Sequence, residues 1–436
     1  MWETIKSVIL RLFGMKTTQT DAQTRKIADW ARVYEEAEEI NFTAIIAGKL
    51  AALAVTDSAM TVTGDNARAD YINGIVQSQI AVYAQKIISG ALGYGGIALV
   101  PYYTDGKIYV DIVPQSRFFA VESRADDIIR SIMLSDYIVR DGKKYARWTE
   151  YALDGNTCVI RNCATINNNP AALNILPEWA GIAEEIRVPG CDRLLIGYLR
   201  CPQDNRRPDS YDGVPITYGC DKIIAEIQTT LAEEAGEYRL KRSFVGVDET
   251  LFGPDDRLPE SGLFKTFNNP SADAEMWHEY SPEIRSAAYS ARVQELFELL
   301  EKAIGASKGI LTAPEAVATA TEVRRAQHDT WALVGNIRKA AEKAIDNAVY
   351  AINVLCNYYG LTPQGDYTIQ YDWDMSMLED SGETWQQLKD GRSMGIRSKA
   401  ELRAWQTGET LEEAQAVIDE IEESEPVIHD LIGHAQ

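Results

Sequence analysis

The chain has 436 residues, 45% of them apolar and 25% charged, enough for two or three domains and a sizeable core. Its formal net charge of −22 excludes a protein that holds nucleic acid by neutralising phosphates over a broad surface. Contact with DNA is left to a small basic patch, or to a surface that does not stick.

Six cysteines lie at Cys158, Cys163, Cys191, Cys201, Cys220 and Cys356. None forms a C-x-x-C pair and none has a histidine nearby, so free, reduced thiols of a cytosolic protein are expected rather than zinc ligands. The opening stretch MWETIKSVILRLFGMK is an amphipathic helix candidate. It carries Glu3 and Lys6 and no small-residue cleavage site, which makes it a poor signal peptide. The longest apolar run, FTAIIAGKLAALAV, is interrupted by Lys49 and falls short of the ~20 residues a spanning helix needs. A soluble protein without a membrane anchor is expected.

Residues 20–90 read as helices. Val76, Ile80, Tyr83 and Ile87 share one helical face, and Gly90 reads as a helix stop. The stretch SGALGYGGIALVPYY then sets four glycines before an apolar run. A phosphate-binding glycine loop follows a strand and opens a helix. Here the order is helix, glycines, strand, and the spacing misses both phosphate-loop patterns. The glycines read as a sharp turn and a close helix–sheet contact. After Gly96 the period becomes strand-like. Turn signals at Asp105-Gly106, Asp141-Gly142 and Asp154-Gly155 mark an antiparallel meander.

Residues 167–215 are rich in Asn, Asp, Pro and Gly and read as loops. A helical pattern runs from Thr217 to Arg242, with Ile224, Ile227 and Leu231 on one face. Arg239, Lys241 and Arg242 gather at its end, where they suit the helix dipole. Residues 244–282 form a small β module between this helix and a second one that closes at Gly305. The small-residue loop ASKGILTAPEAVA follows. A helical stripe then runs through Val323, Trp331, Val334, Ile337, Ala341, Ile345, Ala348, Ile352 and Leu355, a rod of about 60 Å with Gly335 as a candidate kink. The strand DYTIQYDWD, further helices and a frayed tail complete the chain.

Catalytic signatures are missing. His278, His328, His429 and His434 form no ligand pattern, and no G-x-S-x-G elbow occurs. Asp372 and Asp374 point to one side of a strand and could bind a cation or simply be solvated. The acid-rich ETLEEAQAVIDEIEESE reads as the solvated face of a helix. No enzyme activity, cofactor or metal is expected.

The ordered set of elements resembles the portal proteins of tailed phages, of the type found in siphophages of Gram-positive hosts. The stretches that carry the resemblance are SGALGYGGIALVPYYTDGKIYVDIVP, RWTEYALDGNTCVIRN, ITYGCDKIIAEIQTTLAEEAGEYRLKRSFVGV, TATEVRRAQ and YDWDMSMLEDSGETWQQLKDGRSMGIRSKAELRAWQTGETLEEA. The resemblance implies an α+β portal-like fold: a helical and antiparallel-β wing, a two-helix stem, a small β-rich clip, a long kinked spine helix and an α-helical crown. The expected bounds are 1–95 and 96–215 for the wing, 216–243 and 284–304 for the stem, 244–283 for the clip and 305–318 for a tunnel loop. Residues 319–360 would be the spine helix, 361–380 a returning wing strand, 381–424 the crown and 425–436 a flexible tail.

It further implies a homo-oligomeric ring, usually of twelve subunits, at the capsid portal vertex of the virion, assembled in the host cytoplasm. Double-stranded DNA would pass through the channel. The terminase large subunit, a head-completion or adaptor protein, and the major capsid and scaffolding proteins would be its partners. Ser307, Lys308, Gly309, Thr312 and Pro314 would then lie in the tunnel loop. Lys308 and the Arg239, Lys241, Arg242 group could touch phosphates, or serve inter-subunit ion pairs or the helix dipole. The alternatives are another assembly protein, such as a scaffold or minor capsid component, or an acidic enzyme.

Overall fold

The computed structural model describes residues 29–35, 40–56, 58–124, 127–206, 210–240, 244–248, 264–267, 277–280, 285–313, 320–373, 388–407 and 409–424. The chain divides into two compact units. The first is Met1–Glu315 with Ala326–Asp372, and the second is Ala316–Arg325 with Trp373–Gln436. The fold is a mixture of helices and mainly antiparallel sheets. The N-terminal helix candidate, the tail, Asp374, His429 and His434 lie outside the described residues.

In the first unit, α1 (Phe42–Val55) is the apolar run, capped by Asn41 Oδ1, which accepts from the Ala44 N–H at 2.9 Å. A helix apolar on every side must be buried, and Ile46, Ala47, Leu50, Ala51 and Ala54 are fully enclosed. Strand β1 (Ala59–Thr63) follows, where the sequence reads as helix throughout. It pairs antiparallel with β14 (Thr368–Asp372), a partner some three hundred residues away.

Helix α2 (Ala67–Ile75) runs into a π-helical stretch, Val76–Ile80, and a 3₁₀ turn, Ala81–Tyr83, before α3 (Ala84–Tyr94). The wide turn shifts the helical phase. Val76, Ile80 and Ile87 stay buried, but Tyr83 is 47% exposed, off the face the spacing assigns it. Gly90 does not end the helix. It sits inside α3, and Gly95, at φ +94°, is the terminating residue. A Cβ on Gly95 would also stand 2.7 Å from the Gly213 carbonyl oxygen. One cluster glycine thus makes the sharp turn, and Gly93 lets Tyr34 pack where a Cβ would stand.

The meander divides between two sheets. β2 (Gly96–Thr104) and β3 (Lys107–Pro114) join β10 (Gly197–Arg200) in the order β10-β2-β3. β4 (Phe118–Arg124), β5 (Asp127–Arg140), β6 (Lys143–Asp154), β7 (Thr157–Ile166) and β8 (Asn169–Ala171) form the larger sheet in chain order, and β9 (Glu185–Pro189) also pairs with β7. Asp105-Gly106 and Asp141-Gly142 both have positive φ at two residues, the type I′ pattern. The next turn is shifted by one residue from the expected Asp154-Gly155. Asp154 pairs with Thr157, so the loop is Gly155-Asn156, with only Gly155 at positive φ. Asn167-Asn168 makes a further tight hairpin inside the stretch read as loop. That stretch also buries Trp179, whose indole N–H donates to Asp136 Oδ2 at 2.8 Å.

Helix α4 (Asp221–Leu240) and helix α5 (Ser286–Ala303) flank a three-stranded sheet of β11 (Phe244–Asp248), β12 (Phe264–Phe267) and β13 (Trp277–Tyr280). β11 is central, parallel to β12 and antiparallel to β13. Helix α6 (Ala320–Tyr359) is one continuous α-helix of 40 residues. It passes through Gly335, the residue expected to kink it, with the helix unbroken. Its stripe from Trp331 to Leu355 is buried.

Two buried arginines complete the first unit. Arg338 on α6 donates Nε to the Ala54 carbonyl at 3.0 Å, satisfying the C-terminal end of α1, which has no basic residue in its last turn. Arg68 ties the last turns of α6 to the chain just after it. It donates to the Asn353 and Thr362 carbonyls and to the side chains of Asn353, Asn357 and Thr362.

In the second unit, helical residues 388–393 precede α7 (Lys399–Thr407) and α8 (Leu411–Ser424). Both later helices open with capping boxes, Ser398–Glu401 and Thr410–Glu413. The N–H groups of Ser398 and Thr410 hold the two glutamate carboxyls below their usual range.

Candidate functional site

Helices α4 and α5 pack as an antiparallel pair. Ile227 on α4 and Val293, Leu296 and Leu300 on α5 are buried. Ion pairs staple the outer surface: Arg285 to Glu237 at 3.1 Å near one end, and Arg292 to Glu226 nearer the other. The Arg285 hydrogen bond holds the Glu237 carboxyl below its ordinary value. The β11–β13 sheet lies in sequence between the two helices, at the end where α4 stops and α5 starts.

At its other end α5 closes in a Schellman motif. Gly305, at φ +79°, donates to the Lys302 carbonyl at 3.1 Å, and Ala306 donates to the Glu301 carbonyl at 2.9 Å. The chain then folds back over the Glu301 side chain, which is only 1% exposed. Its Oε1 accepts from the backbone N–H groups of Gly309 (3.2 Å), Leu311 (2.6 Å) and Thr312 (3.1 Å). Its Oε2 accepts from the Thr312 hydroxyl at 2.8 Å. Ser307 is tied to α6, its N–H donating to Thr330 Oγ1 at 2.9 Å. Lys49 on α1 donates to the Ile310 carbonyl. Three helices therefore fasten residues 305–313.

This bears on each expected site residue. Ser307 is half-buried against α6. Lys308 reaches outward and pairs with Glu298 at 3.0 Å, which lowers that carboxyl. Gly309 is exposed, at φ +121°. Thr312 is buried and supports the segment from within. Pro314 lies outside the described residues. Arg239 is exposed in the last turn of α4, while Lys241 and Arg242 lie outside the described residues. The described part of the segment expected as a tunnel loop, residues 305–313, is thus fastened to α1, α5 and α6.

Glu301 is the residue the sequence reading passes over. The signal was present: an acid in the last turn of a helix opposes the macrodipole and needs donors from elsewhere.

No protein-family model matches the chain, and no curated protein matches it. Among solved structures, the chain is similar to one titled as the neck of an empty GTA particle computed with C6 symmetry. The identity is 12% and the TM-score 0.46, with 87% of this chain and 93% of that chain covered. It is also similar to one titled as the neck of a native GTA particle computed with C12 symmetry, at 11% identity and a TM-score of 0.41, covering 87% and 92%. At these values neither likeness assigns a function.

Among the described residues, no three His, Cys, Asp or Glu side chains group to hold a metal ion, and no helix is long and apolar enough to cross a membrane.

Proposed function

We propose that the chain is a portal-type subunit of a tailed-phage particle. Many copies, twelve in the resemblance, stand in a ring at one capsid vertex, and double-stranded DNA passes through the centre during packaging and ejection. The observation that carries this reading is the antiparallel α4–α5 pair, which brackets a three-stranded sheet and leads through a pinned segment into the 40-residue α6. This is the order in which the sequence resembles stem, clip, stem, tunnel loop and spine.

In this reading β11–β13 is the clip, where the terminase large subunit docks first and a head-completion or adaptor protein later. The sheets β1-β14, β10-β2-β3 and β4 to β9 form the wing against capsid and scaffolding proteins, and α7 and α8 belong to the crown. The subunit carries no chemistry of its own, and ATP hydrolysis belongs to the terminase. Its net charge of −22, repeated around a ring, repels the DNA backbone and releases few counterions on contact, so DNA slides rather than sticks. Arg239, with Lys241 and Arg242, supplies local contacts to phosphate or to the next subunit. Residues 305–318, with Ser307, Lys308, Gly309, Thr312 and Pro314, form the tunnel loop, in which Lys308 pairs with Glu298.

Sedimentation velocity of the purified chain across micromolar concentrations tests this. One discrete, large, closed species is expected, with no ATP hydrolysis. A monomer or dimer at every concentration would favour a different assembly protein, and nucleotide hydrolysis would favour an enzyme.

A further inference from the structure

In the second unit, helical residues 388–393 end in a Schellman turn. The Ile396 N–H donates to the Gly391 carbonyl at 2.8 Å and the Gly395 N–H to the Arg392 carbonyl at 2.9 Å, with Gly395 at φ +74°. In such a turn the residue after the glycine ordinarily packs on an apolar side chain one turn back. Here those positions are Gly391 and Asp390. Ile396 stands 74% exposed, with Met394 near it at 72%. The Ser398–Glu401 capping box fixes the far side of the turn, so these two side chains are held outward by an ordered backbone. Arg392 and Arg397, both exposed, flank them.

The other arm of the unit has the opposite charge. Residues 388–403 carry five bases against two acids, and residues 409–424 carry seven acids and no base. On α8, Ile421 is 46% exposed, and the exposed Asp419 and Glu420 directly precede it. Each arm therefore presents apolar side chains within a charged rim, as protein interfaces do, and the two rims differ in sign. Within one chain the arms do not cover each other, since Met394, Ile396 and Ile421 all remain exposed.

We propose that α8 of one copy docks on the turn 392–397 of a second copy, with Ile421 against Met394 and Ile396, and with Asp419 and Glu420 toward Arg392 and Arg397. The two surfaces differ, so the contact can repeat from copy to copy in one direction. It rests on the ring reading only for the number of copies it joins.

Sedimentation velocity of the full chain, with circular dichroism to confirm folding, tests the contact. Arg392→Glu/Arg397→Glu reverses the turn, and Asp419→Lys/Glu420→Lys reverses the patch on α8. Each double variant alone should need at least about tenfold more protein to associate. An equimolar mixture of the two should recover the wild-type behaviour, because every junction then joins opposite signs. A second measurement pairs Met394→Cys with Ile421→Cys under mild oxidation, and a disulfide between chains is expected. Unchanged association in either reversed variant, or a mixture no better than its components, overturns the contact and leaves the ring standing. A disulfide only within single chains also overturns it. A wild type that is monomeric at every concentration overturns both the contact and the ring.

Discussion

Glu301, itself buried, accepts four hydrogen bonds from a segment that α1 and α6 also fasten. Glu301→Ala would leave the half-buried Leu311 N–H and the buried Thr312 N–H without acceptors. The expected cost is about 3 kcal/mol or more, and about half of that for Glu301→Gln, which keeps one oxygen. Chemical denaturation measures both, and a change within about 0.5 kcal/mol for the alanine variant would contradict the role. The cysteines make a second residue-scale case. All six are free thiols. Burial pushes the Cys158, Cys163 and Cys201 thiols up to about 12, so they stay protonated at pH 8. A thiol reagent should label fewer than about one cysteine in the native protein and all six once it is denatured. Fewer than six after denaturation would mean a disulfide. The composition made reduced cysteines legible. Arg68 and Arg338 were not, because their partners are brought close only by the folded chain, up to 294 residues away for Arg68; for Glu301 the sequence showed an acid in a last turn that needs donors, but not which groups supply them.

At the scale of elements, period was the strongest signal. The stripe from Trp331 to Leu355 marks the buried side of α6, and Gly305 marks the end of α5. Where the period was locally broken, reading failed. The π-helical stretch at Val76–Ile80 displaces Tyr83 to the surface, and nothing in the residue types announces it. β1 escaped notice because a short strand is recognised by its neighbour, and that neighbour is β14. The capping boxes at Ser398 and Thr410 were open to reading from the Ser/Thr-x-x-Glu spacing. The α4–α5 pair yields a pH prediction. Arg285 lowers the folded-state value of Glu237 below its ordinary 4.5, so the pair's contribution is present above that value and lost as pH falls through the lowered one. Wild type should therefore melt above Glu237→Gln at neutral pH, and the gap should close on acidification below 4.5. A gap that persists in strong acid would show that Glu237 acts by packing rather than by charge.

For the whole molecule, composition and element order were both informative, in different ways. The charge of −22 argued against adhesive nucleic-acid binding, and the order of elements supplied the resemblance to portals. Which residues face an axis was not legible, because that depends on copies of the chain rather than on one. In the proposed reading, the 40-residue helix and the sheet inserted between α4 and α5 serve many copies placed around a hole. Negative-stain or cryo-electron microscopy of the purified chain tests this most directly. The expected image is a closed ring of repeated subunits around an opening wide enough for a DNA duplex. Isolated compact particles with no central opening, at concentrations where the protein remains folded, would contradict it.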